Sequence, residues 1–115
     1  MSESEVRFRA LVEHGLDVIT LLDEEGRILF DSRSVVRVMG YTPEERLGRW
    51  IYEYVHPEEL EPLKERYGYV LTHPDETVKA EYRYLHKDGT WRWGEAVAVN
   101  RLADPVVQAV VVNHR

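Results

Sequence analysis

The sequence predicts an α+β domain: an antiparallel five-stranded sheet with short helices and one longer helix packed on one face, plus an N-terminal helix. Three features carry that expectation. Turn chemistry at Asp23–Gly26 and at Asp88–Gly89 sits between β-rich segments and marks hairpins. Helical spacings cluster between those hairpins, so strands adjacent in sequence pair with each other, which makes the sheet mainly antiparallel. A continuous Val-rich run, Val106 to Val112, has the composition of a strand near the centre of a sheet.

In chain order, Val6, Phe8, Leu11 and Val12 form an apolar stripe at helical spacing over about residues 4–14, which Gly15 stops. Asp17 to Leu22 is rich in β-branched and aliphatic residues, the Asp23-Glu-Glu-Gly26 turn follows, and Arg27 to Phe30 closes the hairpin. From Ser32, Val35, Val36 and Met39 recur at helical spacing until Gly40. Thr42-Pro43-Glu44-Glu45 then supplies a cap, a proline at the first helical position and acids in the first turn, and Gly48 ends that short helix. His56-Pro57-Glu58-Glu59-Leu60 repeats the proline-then-acid start. This helix runs through Leu63, Tyr67 and Val70 to about Thr72, with Pro62 in its first turns. Thr77 to Leu85 and Thr90 to Asn100 alternate with period two around the Asp88-Gly89 turn, and Asp104-Pro105 turns the chain toward its last strand.

The 115 residues are one domain's worth, 1–115, with the core over about 16–115; 43% are apolar and 31% charged, enough for a core without disulfide or metal staples. The absence of cysteine excludes disulfides, thiolate zinc sites, cysteine nucleophiles and cysteine-linked chromophores. With a net charge of -6 and arginines scattered singly, neither nucleic acid nor an anionic membrane is an expected partner. No apolar run approaches the roughly 18 residues of a spanning helix, and the start lacks the basic-then-apolar order of a signal peptide, so membrane insertion is not expected and the location expected is cytoplasmic. The histidines His14, His56, His73, His86 and His114 show no metal-helix spacing. His86 beside Asp88, and His56 near Glu58 and Glu59, can be drawn as acid–base pairs. A hairpin turn and a helix N-terminus account for the same residues without chemistry.

The segments FRALVEHGLDVITLLDEEGRILF, MGYTPEERLG, WIYEYVHPEEL, EYRYLHKDGTWRW and VVVNHR, in that order and spacing, resemble a PAS domain, the sensory and signalling module of bacterial signal-transduction proteins. The resemblance covers nearly the whole chain. It implies a module of a longer protein, because in the family the last strand continues into an Asp-Ile-Thr-like triplet that opens a signalling helix, and Arg115 stands just short of it. Haem-binding members ligate with a histidine inside the long helix, and photosensing members carry a reactive cysteine. This chain has neither, so no haem, flavin or metal cofactor is expected.

The period-two rule sorts the fourth strand into Trp91, Trp93, Glu95, Val97 and Val99 on one face and Arg92, Gly94, Ala96 and Ala98 on the other. Periodicity alone would bury the Trp/Val face. The family alignment instead points Gly94, Ala96 and Ala98 toward the helices, with Ala80, Tyr82, Tyr84 and His86 before them and Val110, Val112 and His114 after. His114 falls where flavin-binding members place a glutamine. Tyr67, Tyr82, Tyr84, Gly94, Ala96, Ala98, Val112 and His114 are therefore candidate residues of a ligand cavity. The alternative is that Leu63, Tyr67, Val70 and Trp50 fill that space as ordinary core. The opposite face, with Leu85, Trp91, Trp93, Val97 and Val99, is too apolar to leave in water. Phe8, Leu11 and Val12 of the first helix, a second copy of the domain, or both are candidates to cover it.

The function this reading predicts is a non-catalytic sensory and dimerisation module, acting as a homodimer linked to an effector such as a histidine kinase, cyclase or regulator. A small ligand of unknown identity would occupy the cavity. The alternatives are a ligand-free protein–protein interaction module and, further off, a small cavity enzyme, for which carboxylates or histidines should converge in one pocket.

Overall fold

A computed structural model describes residues 17–115; the N-terminal helix expected over residues 4–14 lies outside them. The strands are β1 (Val18–Leu22), β2 (Ile28–Asp31), β3 (Val78–Leu85), β4 (Trp91–Arg101) and β5 (Ala109–His114), in the sheet order β2-β1-β5-β4-β3. Every pairing is antiparallel, and β5 lies at the centre. Between β2 and β3 come α1 (Ser34–Met39), α2 (Pro43–Arg46), a 3-10 turn (Ile51–Tyr54) and the long α3 (Pro57–Thr72).

Local chemistry accounts for the boundaries. Asp23 Oδ1 accepts from the amides of Glu25 and Arg27 and so folds the first hairpin turn. Gly40 ends α1 at φ +84, its amide donating to the carbonyls of Val35 and Val36; a Cβ there would also stand 2.8 Å from His86 and Lys87. Thr42 and Glu45 form a reciprocal capping box on α2. His56 caps α3 through Nδ1, which accepts from Glu58 N at 3.0 Å, with Pro57 at the first helical position. Val106 and Val107 do not belong to the last strand as the Val-rich run predicts. Asp104 Oδ1 accepts from both their amides and holds them in the β4–β5 turn, so β5 begins only at Ala109, after Gln108 at φ +50.

The core lies between the inner sheet face and the helices, with Val18, Leu22, Ile28, Val35, Met39, Tyr54, Val70, Tyr82, Tyr84 and Val110 all buried. A charged group sits among them. Arg46 is the buried residue of α2, and its Nε stands 2.9 Å from Asp31 Oδ2, the two side chains 1% and 0% exposed. Thr20 Oγ1 donates to the other carboxylate oxygen at 2.6 Å, Arg46 Nη1 donates to Met39 Sδ, and the guanidinium lies 4.8 Å from the centre of the Tyr54 ring. Trp50 is not core as the ordinary-core alternative expects. It is 44% exposed, with Arg27 stacked over its ring at 5.0 Å.

Removing one member of a buried ion pair leaves the other charge without compensation. Arg46→Met is therefore expected to destabilise the domain by roughly 3 to 5 kcal/mol. Adding Asp31→Leu to the same chain should recover most of the loss. Urea midpoints of the two variants check this, and equal destabilisation of single and double variants would contradict it.

Candidate functional site

On the inner sheet face, β3 and β4 pair Val78 with Ala98, Ala80 with Ala96 and Tyr82 with Gly94. Small side chains thus face α3 over two successive pairs, and the helix cannot close down on them. The result is an apolar cavity of about 80 Å³ between α3 and the sheet. Of the candidate residues, Tyr67, Tyr82, Ala96, Ala98 and Val112 line it. Leu63 and Val70 of α3, Leu22 of β1, Ile51 and Tyr52 of the 3-10 turn, and Val55 just after it complete much of the wall.

Tyr84, Gly94 and His114 lie beside the cavity, packed on one another. His114 Nδ1 is hydrogen-bonded to the Tyr82 hydroxyl at 2.7 Å, and the imidazole meets the Tyr84 ring edge-on with centroids 4.9 Å apart. A Cβ on Gly94 would stand 2.7 Å from His114 Nε2 and 3.0 Å from Tyr84, so glycine is what leaves the imidazole its room beside β4. Two of the tyrosine hydroxyls at the cavity are already committed: Tyr82 to His114, and Tyr67 to the carbonyl of Asp23 at 2.5 Å. Burial raises both phenols above their ordinary range, so both stay neutral. What the cavity presents to a guest is chiefly hydrocarbon.

The histidine–carboxylate pairs are occupied by structural tasks. Asp88 accepts from the amide and hydroxyl of Thr90 and from Arg92, which pulls its carboxyl well below the usual range, and His86 Nδ1 accepts from Asp88 N. His56 caps α3, while Glu58 and Glu59 hold Arg83. Among the described residues no three metal-ligating side chains cluster. On the outer face Trp93 is 66% exposed, with the Arg83 guanidinium 5.2 Å from its ring centre. Trp91 packs its ring on His56, and Leu85, Val97 and Val99 are half-buried. Phe8, Leu11 and Val12 lie outside the described residues.

Arg66 escapes sequence reasoning, although it too lines the cavity. Its place at i+3 from Leu63 and i−4 from Val70 puts it on the same helix face, but a charged residue does not stand out in an apolar stripe.

Burial, reinforced by the nearby Arg46 charge, pushes His114 down from 6.5 to about 4. As the pH falls through this window, the imidazole of the unfolded chain takes up its proton first. The unfolded state then binds more protons, and the fold loses up to about 3 kcal/mol between the two values. The urea midpoint of the wild type is expected to fall more steeply from pH 6.5 to 4 than that of His114→Gln. Parallel curves would contradict the assignment.

Comparison with known proteins places this architecture. A family model described as the PAS fold matches residues 28–110. The chain is 28% identical over 116 residues to the aryl hydrocarbon receptor nuclear translocator homolog of Drosophila melanogaster, covering 98% of this chain and 17% of that protein. It is 29% identical to the sensor histidine kinase TmoS of Ectopseudomonas mendocina, covering 84% of this chain and 10% of the kinase. The chain thus spans a small fraction of the curated relatives it matches. Among solved structures, the PAS domain of an HTR-like protein from Haloarcula marismortui superposes with a TM-score of 0.79 at 26% identity, covering 98% of this chain and 91% of that one. The PAS-B domain of Drosophila melanogaster Cycle, solved as its W398A variant with bound glycerol, gives 0.73 at 28% identity over 84% of this chain and 96% of that one. The match over most of the chain, with the same five-stranded sheet and helical face, makes this chain a member of the PAS fold family.

Proposed function

We propose that this PAS domain is a non-catalytic sensory and dimerisation module of a larger cytoplasmic signalling protein, and that a small ligand, hydrocarbon where it enters the α3–sheet cavity, is its input. The cavity is the observation that carries the reading. Packed interiors seldom leave voids, and this one is walled by alanines and valines where larger residues would have closed it. Its size is about half that of the roughly 150 Å³ apolar cavity known to admit benzene, which suits a guest of a few carbons. The solved Cycle PAS-B domains, with bound glycerol or ethylene glycol, lend support at the level of ligand size. The relation to a sensor histidine kinase supports a linked effector of the kinase, cyclase or regulator type. The committed histidines and carboxylates support a site without catalysis.

Filling the cavity tests the ligand half of the reading. Ala98→Leu is expected to leave the urea midpoint nearly unchanged, because the added carbons enter existing space, and to weaken binding of butanol or pentanol by roughly tenfold, about 1.4 kcal/mol. A loss of stability of about 1 to 3 kcal/mol would instead mark a filled core and favour a ligand-free interaction module.

The exposed Trp93 and the half-buried Leu85, Val97 and Val99 support dimerisation through the outer face. Light scattering is expected to report a dimer at high micromolar concentration, and Trp93→Ser is expected to shift it toward monomer. A wild-type monomer at that concentration would overturn this part.

A further inference from the structure

We infer that the ligand carries a carboxylate, and that Arg66 reads it at the mouth of the cavity; this rests on the proposal that the cavity is the input site. Among the described residues, Arg66 is the one charged residue lining the cavity. It also lines a cleft on the outside of the molecule, with Lys79, Ala80, Glu81 and Glu95. Arg66 and Ala80 are common to both spaces, so the Arg66 side chain and the β3 edge form the partition between them. β3 is an edge strand, and its free edge at Lys79 is met by Arg66 Nη1, which donates to the Lys79 carbonyl at 2.6 Å.

That bond uses one of the five donors of a guanidinium, and among the described residues Arg66 has no carboxylate partner. The acids bordering the cleft, Glu81 and Glu95, lie on the outer face of the sheet, as their alternation with Ala80 and Ala96 requires, and neither lines the cavity. A charged group with spare donors beside a space lined chiefly by hydrocarbon, where the Tyr67 and Tyr82 hydroxyls are already bonded, gives the site its strongest polar preference. The guest that satisfies both parts is a short aliphatic monocarboxylate, its chain among Ala96, Ala98 and Val112 and its head on the planar guanidinium fork, which matches a carboxylate bidentately. The same side chain then reports occupancy: a carboxylate at the mouth competes with the Lys79 carbonyl for Arg66 and alters the tie between α3 and the β3 edge.

The test titrates the protein with butanoate, pentanoate and hexanoate and with the alcohols of equal chain length, by calorimetry, on the wild type, Arg66→Met, Arg66→Gln and Ala98→Leu. Arg66 is exposed on α3, and circular dichroism verifies that its variants fold. Each acid is expected to bind about tenfold or more tighter than its alcohol. That advantage is expected to vanish in both Arg66 variants with alcohol affinity unchanged, to shrink with added salt, and both ligand types are expected to weaken in Ala98→Leu. Equal affinity for acids and alcohols, or an acid preference that survives in Arg66→Met, overturns the role of Arg66 while leaving the cavity as the input site. Acid binding that is indifferent to Ala98→Leu places the carboxylate on the surface and also overturns it. Absence of binding by every probe overturns this inference together with the proposal beneath it.

Discussion

The buried contact between Arg46 and Asp31 organises the helical side of this domain. α2 is a single turn whose buried residue is Arg46, so the helix is held to the body of the protein largely by one guanidinium. That group reaches Asp31 at the end of β2, Met39 at the end of α1 and the Tyr54 ring in the 3-10 turn, and through Asp31 it is joined to Thr20 on β1. Burying a charge is costly unless it is matched, and the match here exists only when the sheet edge and the successive short segments meet in one arrangement. Short helices have little cooperative stability of their own, so such a shared anchor fixes their mutual positions. The charge also acts at a distance, since with burial it keeps His114 neutral and able to sit against Gly94 and Tyr84.

The sheet supplies the complementary constraint. Gly94 leaves room for the imidazole of His114, the imidazole holds the Tyr82 hydroxyl, and the Tyr82 ring forms one wall of the cavity. One end of the inner face is thus closed by aromatic packing, while the alanines of β3 and β4 leave the other end open beneath α3. The Tyr67 hydroxyl, tied to Asp23 in the first hairpin turn, braces the helix over that space. Cavity shape and cavity polarity follow from the same bonds: the Tyr67 and Tyr82 hydroxyls that stiffen the walls are already bonded, which leaves the lining chiefly hydrocarbon.

The order of elements, the hairpins and the antiparallel pairing were legible in the chain because turn residues, caps and periodicity act over a few positions. Asp23, Gly40, the Thr42–Glu45 box and Pro57 each set a boundary by local hydrogen bonding or backbone geometry. Alternation also sorted β4 into a tryptophan face and a glycine–alanine face. It could not say which points inward, because period two fixes relative and not absolute orientation, and apolarity alone favours burying the tryptophans. Resemblance to a known family supplied the inward choice for Gly94, Ala96 and Ala98, and in the structure those residues face α3 and His114. β5 starts later than its valine run predicts, since such a run gives no sign that Asp104 captures its first two amides.

By itself, then, the sequence determined most of what depends on neighbours a few residues apart: where all but the last strand start, where elements stop, and which residues share a face. The tertiary structure decided what depends on partners far along the chain. Arg46 is buried because Asp31 is brought to it, Trp50 is exposed because Arg27 and the surface claim its ring, and Arg66 joins the cavity lining because the Lys79 carbonyl on β3 draws its guanidinium. The physical reason is that the cost of burying a charge or leaving a void is set by groups that only the completed fold brings into contact.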